Sequence, residues 1–378
     1  MRRLVNPFIF VFTAVVAAGY AYLAWRLATS PASRLALAMP FLLVWLVPVS
    51  FLVGARGSRN AAIELLHRLG YLSMAWLSFL FAATVARDAA LVATAFGPLA
   101  AWQPAVADAG VPAVLVASVA ALAIGMQVAA RGPAVRHVDV PIEGLDPALD
   151  GYRIAQISDL HVGLGIRAPY VERVVRQVHE LEPDITVLTG DIVDGSVAAL
   201  AADVAPLAKL ADRAPVFFVL GNHDCYSGAK PWIAQFEAMN MTVLLNSHVV
   251  LGRQHARIVV AGVVDPAARW SGFPEGPRPD QSLAGSPEPA FRLLLAHNPK
   301  LASSAERAGF DLQLSGHTHA GQFFPWTLAV HLVHAPHVVG LSRQGRMRVY
   351  VSAGTGTWGP PVRFGTKPEL TLLRLVRA

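Results

Sequence analysis

Five short segments in the last two-thirds of the chain hold the side chains that could do chemistry. They are Asp159-Leu160-His161, Gly190-Asp191-Ile192-Val193-Asp194, Gly221-Asn222-His223-Asp224, Ala296-His297-Asn298 and Gly316-His317-Thr318-His319. Each ends or follows an apolar, β-branched run and is therefore expected at the carboxyl end of a strand, where the loops of an open α/β sheet converge on one crevice. Carboxylates, imidazoles and one amide suit two hard-to-borderline divalent metals. Such a pair serves metal-assisted hydrolysis of a phosphate ester. A lone Asp-x-His or Gly-His-Thr-His arises easily in a surface loop; five such segments in order do not.

The intervening stretches must supply the elements that position these loops. Strands are expected at Val135 to Pro141, Tyr152 to Ser158, Asp184 to Leu188, Val216 to Leu220, Val243 to Leu245, Val249 to Leu251 and Ile258 to Val263. More follow at Phe291 to Ala296, Leu312 to Leu314, Arg348 to Ala353 and Leu370 to Val376. The spacing over Pro169 to Leu181 predicts a helix with Val171, Val174, Val175 and Val178 on one face. Ser196 to Ala211 and Pro231 to Met239 also have helical patterns, and Ala268 to Pro289 has the composition of a surface loop. Strand-helix-strand order early and strand-strand order late predict an α/β (α+β) domain of two mixed β-sheets packed as a sandwich and flanked by helices.

The front third is different in kind. The chain is 54% hydrophobic and 15% charged, with a mean hydropathy of +0.45, too apolar for an ordinary soluble protein. The excess lies before about residue 130, so a multi-span α-helical membrane region is expected over 1–132 and one catalytic domain over 133–378. Four spans are expected: Pro7 to Ala24, Leu35 to Val53, Leu69 to Ala86 and Val111 to Ala130. Ala89 to Trp102 is expected to continue the third span or to lie at the interface. Arg2, Arg3, Arg56, Arg59, Arg68, Arg131 and Arg136 outnumber Arg26, Arg34 and Arg87 of the opposite loops, which places the amino terminus and the catalytic domain on the cytoplasmic side of the inner membrane. Arg2-Arg3 and the first apolar run also fit a signal peptide, but three further spans favour an anchor. The lone Cys225 excludes an internal disulfide, and no aromatic-interleaved basic stripe points to nucleic acid. The net charge of +6 suits anionic headgroups.

From about Val135 onwards, the ordered segments resemble the calcineurin-like metallophosphoesterase superfamily. They are most similar to its membrane-associated branch of YkuE-type and YaeI-type phosphodiesterases. Supporting runs are Asp150-Gly151-Tyr152-Arg153-Ile154 ahead of Ser158-Asp159-Leu160-His161, Leu293 to Pro299, and Gly316-His317-Thr318-His319-Ala320-Gly321-Gln322. Ala320 departs from that branch, which usually has glycine there. The resemblance implies that Asp159, His161, Asp191 and His319 bind one metal and Asn222, His297 and His317 the other, with Asp191 bridging. It implies two divalent ions, Mn, Fe or Zn. His223 would act on the leaving group or the phosphoryl oxygens, Asp224 would orient its ring, and Asp194 would shape the loop around it.

Other features are softer. Gly354 to Gly359 lacks the lysine of a phosphate-binding loop and is expected to be a turn. Arg363 fits either a phosphate contact or a surface residue. His331, His334 and His337 fit a packed or interfacial helix better than a third metal site. Phe323 to Val333 is apolar for the rim of a hydrolytic site, which suggests contact with the bilayer and a lipid substrate. The expectation is a membrane-anchored two-metal phosphoesterase that cleaves a phosphodiester or pyrophosphate, with a lipid-linked substrate and membrane lipids as partners. Its rivals are a phosphomonoesterase or nucleotide phosphodiesterase, a membrane sensor without turnover, and a transporter, which scarce intramembrane charge disfavours.

Overall fold

The computed structural model describes residues 7–52 and 61–378; Arg2, Arg3, Arg56, Arg59 and Val53, used above for orientation and a span end, lie outside them. By internal packing the chain forms two units, 1–127 with 359–364, and 128–358 with 365–378.

The first unit is helical. Its long helices are α1 (Pro7–Leu27), α2 (Pro31–Leu52), α3 (Ala61–Thr94) and α4 (Gln103–Ala130). Among the described residues these four are long and apolar enough to cross a membrane. The expected third span continues to Thr94, and a short 3-10 turn at Gly97–Trp102 leads into α4. Leu23, Val44, Leu77, Leu80 and Val114 form their shared core. Buried hydroxyls bond back to the helix, Thr84 Oγ1 to the Leu80 carbonyl and Ser118 Oγ to that of Leu115, as a solvent without hydrogen-bonding partners demands. Trp45, for which interface and core were both open, donates from Nε1 to Thr13 Oγ1.

The second unit holds two six-stranded sheets. With β1 at Ala134–Ile142, β2 at Arg153–Ile157, β3 at Ile185–Leu188, β4 at Val216–Phe218, β5 at Thr242–Val243 and β12 at Glu369–Arg377, the first sheet runs β1-β12-β2-β3-β4-β5. The second contains β6 (Ser247–Arg253), β7 (Ala256–Gly262), β8 (Phe291–Leu295), β9 (Leu312–Ser315), β10 (Gly340–Gln344) and β11 (Met347–Val351), in the order β10-β11-β9-β8-β7-β6. Both are mixed: β2-β3-β4-β5 and β7-β8-β9-β11 are parallel runs, while β12 pairs antiparallel to β2 and β6 to β7.

Alternation across the strands separates three cores. Ile154, Ile185, Val187, Phe217, Val260, Leu293 and Leu314 fill the space between the sheets. Ala155, Ile157, Leu188 and Phe218 point the other way, onto the valine face of the helix Ala168–Leu181. Ala302 and Ala305, on the helix Ala302–Ala308, cover Leu294 and Val349 of the second sheet. Strands covered on both faces read as continuous apolar runs, which is why they were visible in the sequence. Other elements were not, among them short helical turns at Pro266–Ser271 and Pro279–Ser282 overlapping the expected surface loop. β10 has a polar sequence and pairs antiparallel to β11; the helices Ala302–Ala308 and Trp326–His334 were also unforeseen as bounded elements. Ser196 to Ala211 divides into an α-helix, Val197–Val204, and a 3-10 segment, Ala205–Asp212, where Pro206 cannot donate an amide hydrogen.

Candidate metal centre

Every expected ligand lies just past the carboxyl end of a parallel strand: Asp159 and His161 after β2, Asp191 after β3, Asn222 after β4, His297 after β8, His317 and His319 after β9. The two sheets therefore contribute loops to one place. Glycines set how closely the loops approach. A Cβ at Gly221 would stand 2.2 Å from Asp191 Oδ1, and one at Gly316 2.1 Å from Asp159 Oδ2. The loop after β11 straps the first ligand loop from above: Thr355 N donates to the Ser158 carbonyl and Gly356 N to that of Asp159.

The side chains converge in two adjoining groups, Asp159–His161–His319 and Asp191–His297–His317. In the first, His319 Nε2 lies 3.3 Å from Asp159 Oδ1 and 3.0 Å from His161 Nε2. In the second, His297 Nε2 lies 3.1 Å from Asp191 Oδ2 and 3.3 Å from His317 Nδ1. Asn222 joins this group through Oδ1, 3.0 Å from His317 Nδ1 and 3.2 Å from His297 Nε2. Asp191 faces both groups, its Oδ2 also 3.9 Å from His161 Nε2.

The hydrogen bonds at the back of the rings set their tautomers. His161 Nδ1 meets Asp194 Oδ2 at 3.0 Å and His297 Nδ1 meets the Thr189 carbonyl at 2.8 Å. Each neutral ring must then protonate Nδ1 and turn the Nε2 lone pair into the site, the arrangement of a histidine ligand and its outer partner. With the rings neutral, nitrogen lone pairs, carboxylate oxygens and an amide oxygen crowd together at about 3 Å, a donor set that fits divalent cations.

Backbone strain marks the same place. Asp159, His161, Asp191, His317 and His319 all have φ between 50° and 73°, the left-handed region that costs a non-glycine residue roughly 1–3 kcal/mol and persists where function needs it. Ala320 is there too, at φ 52°, which accounts physically for the glycine usual at that position in the branch it resembles.

Two expected roles change places. Asp224 does not orient His223. Its buried carboxylate accepts from the backbone N–H groups of Asp191, Ile192, Val193 and Gly221 at 2.8–3.1 Å, tying the loop after β3 to the loop after β4. Asp194 is the ring's partner, with Oδ1 2.6 Å from His223 Nδ1 while Oδ2 takes His161. One carboxylate thus sets both rings. The two aspartates could not be told apart by spacing, because only the return of the β4 loop beneath Asp191 separates them. Burial and the charge of Asp191 push the Asp224 carboxyl up to about 7 against the pull of its donors. Burial opposes the ionised Asp194, but the His161 and His223 rings hold it well below the usual carboxylate range.

Sequence reasoning also passed over the walls. Trp358 and Tyr226 stand edge-on to His223, with ring centroids 5.5 and 5.6 Å away. His334 stands likewise against His317, at 5.4 Å. The three late histidines do not converge: His331 bonds the Thr327 carbonyl, and His337 bonds Ser342 and Gln344. Cys225 is buried in the core behind the loop. Arg363 is not a surface residue; it is fully buried, and its backbone N–H donates to the Gly125 carbonyl in the helical unit.

The calcineurin-like phosphoesterase pattern matches residues 152–321, which contain all seven expected ligands. An uncharacterized metallophosphoesterase of Aquifex aeolicus is 31% identical over 225 residues, 59% of this chain and 84% of that protein. The chain belongs to this family. A Bos taurus protein named transmembrane protein with metallophosphoesterase domain is 37% identical over 277 residues, 70% of this chain and 62% of its own. The uncharacterized metallophosphoesterase YkuE of Bacillus subtilis is 29% identical over 232 residues, 60% of this chain and 79% of its own. The chain spans about six-tenths of the length of the transmembrane relatives it matches.

Proposed function

We propose that the chain is a membrane-anchored, two-metal phosphoesterase, with a membrane region over 1–132 and the hydrolase over 133–378. The observation that carries this is Asp191, whose carboxylate faces two groups of nitrogen and oxygen donors at once. Asp159, His161, Asp191 and His319 hold one ion, and Asp191, Asn222, His297 and His317 the other. Bound there, two divalent ions supply charge stabilisation for a phosphoryl group and lower the pKa of an attacking water. The protein's own part lies in His223. Asp194 holds its Nδ1, which leaves Nε2 to deliver a proton to the departing alkoxide, a role worth typically 10²–10⁴ in rate. Trp358 and Tyr226, edge-on to the ring, restrict its swing.

The substrate is a phosphodiester or pyrophosphate on a lipid. The helix Trp326–His334 ends against the site through His334, yet no residue along it is buried, and Leu332 is 87% exposed and Val333 60%. An apolar helix beside a hydrolytic centre is expected in contact with acyl chains. The test is hydrolysis by the detergent-purified full-length protein with and without Mn²⁺, on bis(p-nitrophenyl) phosphate and on a lipid phosphodiester. The double variant Phe324→Ser, Trp326→Ser is expected to lose activity on the lipid roughly tenfold while sparing the soluble ester. Equal losses on both would sink the lipid reading.

Metal uptake is expected to depend on pH. Burial works against a charged His161, but Asp194, Asp191 and Asp159 raise it to about 9 in the metal-free protein. The ring is therefore protonated at neutral pH and must lose that proton to bind a cation. Affinity for Mn²⁺ rises with pH and levels off above about 9, by roughly tenfold per unit for each proton released. Titration of metal-stripped protein between about pH 6 and pH 8 checks this; a flat affinity across that range refutes it.

A further inference from the structure

Within the helical unit, α3 and α4 line an open groove of about 530 Å³, inside the roughly 300–1,000 Å³ range of ligand sites. Its walls are alanine, valine and glycine, and Arg87 is the single charged residue on them. The packing makes room for that arginine: a Cβ at Gly110 would stand 2.5 Å from Arg87 Nε and 2.9 Å from its Cδ. The side chain is 14% exposed, and Nε is buried with no hydrogen-bond partner.

The adjacent carboxylate is already committed. Asp88 accepts from Arg26 Nε at 2.8 and 3.0 Å and from the Tyr22 hydroxyl at 2.8 Å. Arg87 Nη1 stays 3.8 Å from Asp88 Oδ1, beyond hydrogen-bond reach. Two arginines share one aspartate, and the surplus positive charge is the one on the groove wall.

We propose that this groove binds one anionic phospholipid, its phosphate on the Arg87 guanidinium and one acyl chain along the alanine wall between α3 and α4. The guanidinium, part of which reaches the pocket, matches phosphate oxygens in a planar fork, while Nε packs against Gly110. A neutral occupant would leave that surplus positive charge without a counter-ion against apolar walls. A free phosphate ion would leave the apolar walls wet. This site is independent of the metal centre and of the reaction proposed for it.

The experiment is native mass spectrometry of the full-length protein in nonionic detergent, with phosphatidylglycerol and phosphatidylcholine of matched chains as probes. One phosphatidylglycerol is expected to stay bound roughly tenfold more tightly than phosphatidylcholine, as suits one added charge-assisted contact. Arg87→Gln is expected to remove the preference, Arg87→Lys to keep most of it, and Ala113→Phe to exclude both lipids by filling the groove. Equal retention of the two lipids by the unaltered protein overturns the proposal without any variant. So does a preference that survives Arg87→Gln, or displacement of the lipid by inorganic phosphate at matched concentration.

Discussion

Asp191→Asn is expected to lower phosphodiester turnover by at least about a thousandfold while leaving the protein folded. The substitution keeps shape and one acceptor oxygen, so the bond from His223 N to Asp191 Oδ1, 2.7 Å long, can persist. What is lost is the negative charge that faces both donor groups. Metal ions contribute several kcal/mol of charge stabilisation in the transition state, and each ~1.4 kcal/mol is tenfold in rate. Packing gives no reason for unfolding. Asparagine relieves the like charge that helps raise the Asp224 carboxyl but gives up the buried ion pair with His297, so the metal-free variant is expected to stay folded and melt somewhat lower than the unaltered protein. Turnover of bis(p-nitrophenyl) phosphate, metal content and the thermal midpoint measured together separate the outcomes. Activity within about tenfold of the unaltered protein would overturn the bridging role.

Asp224→Ala is expected to act on stability first. The carboxylate is fully buried and takes four backbone N–H groups from two loops. Alanine orphans all four, and a buried donor without a partner costs about 1–3 kcal/mol. Even with water entering to serve some of them, a loss on the order of 4 kcal/mol is expected. At roughly 2–4 °C per kcal/mol for a domain of this size, the catalytic unit should melt about 10 °C lower. Metal affinity should fall with it, because Asp191 and Asn222 sit on the loops that come apart. Asp224→Asn, with one carbonyl oxygen in place of two carboxylate oxygens, should recover part of the loss. A thermal midpoint within about 2 °C of the unaltered protein would show that those donors find other partners.

These two aspartates mark how far the sequence could be read. Asp191 was expected to bridge two metals because of the family that the segments resemble, and the fold turns its carboxylate towards both donor groups. Asp224 was read as a partner of its chain neighbour His223, because local spacing is all a sequence displays. The fold instead turns its side chain back under the β3 loop, and Asp194, about thirty residues upstream, takes the His223 ring. Arg363 repeats the lesson: a phosphate contact and a surface position were both open from the sequence, and the fold buries it in the helical unit. The polar strand β10 exists because β11 pairs with it, a stabilisation that no local propensity records.

By itself the sequence determined the two kinds of architecture, the order of most strands along the chain and which residues are candidates to bind metal. Apolar periodicity and residue chemistry are local properties, legible wherever they occur. The tertiary structure alone decided which carboxylate holds a loop and which holds a ring, how close the two donor groups come, and that five of the candidate ligand residues sit in left-handed backbone. Those are distances between segments far apart in the chain, set by two sheets packing face to face over a core that no single segment contains.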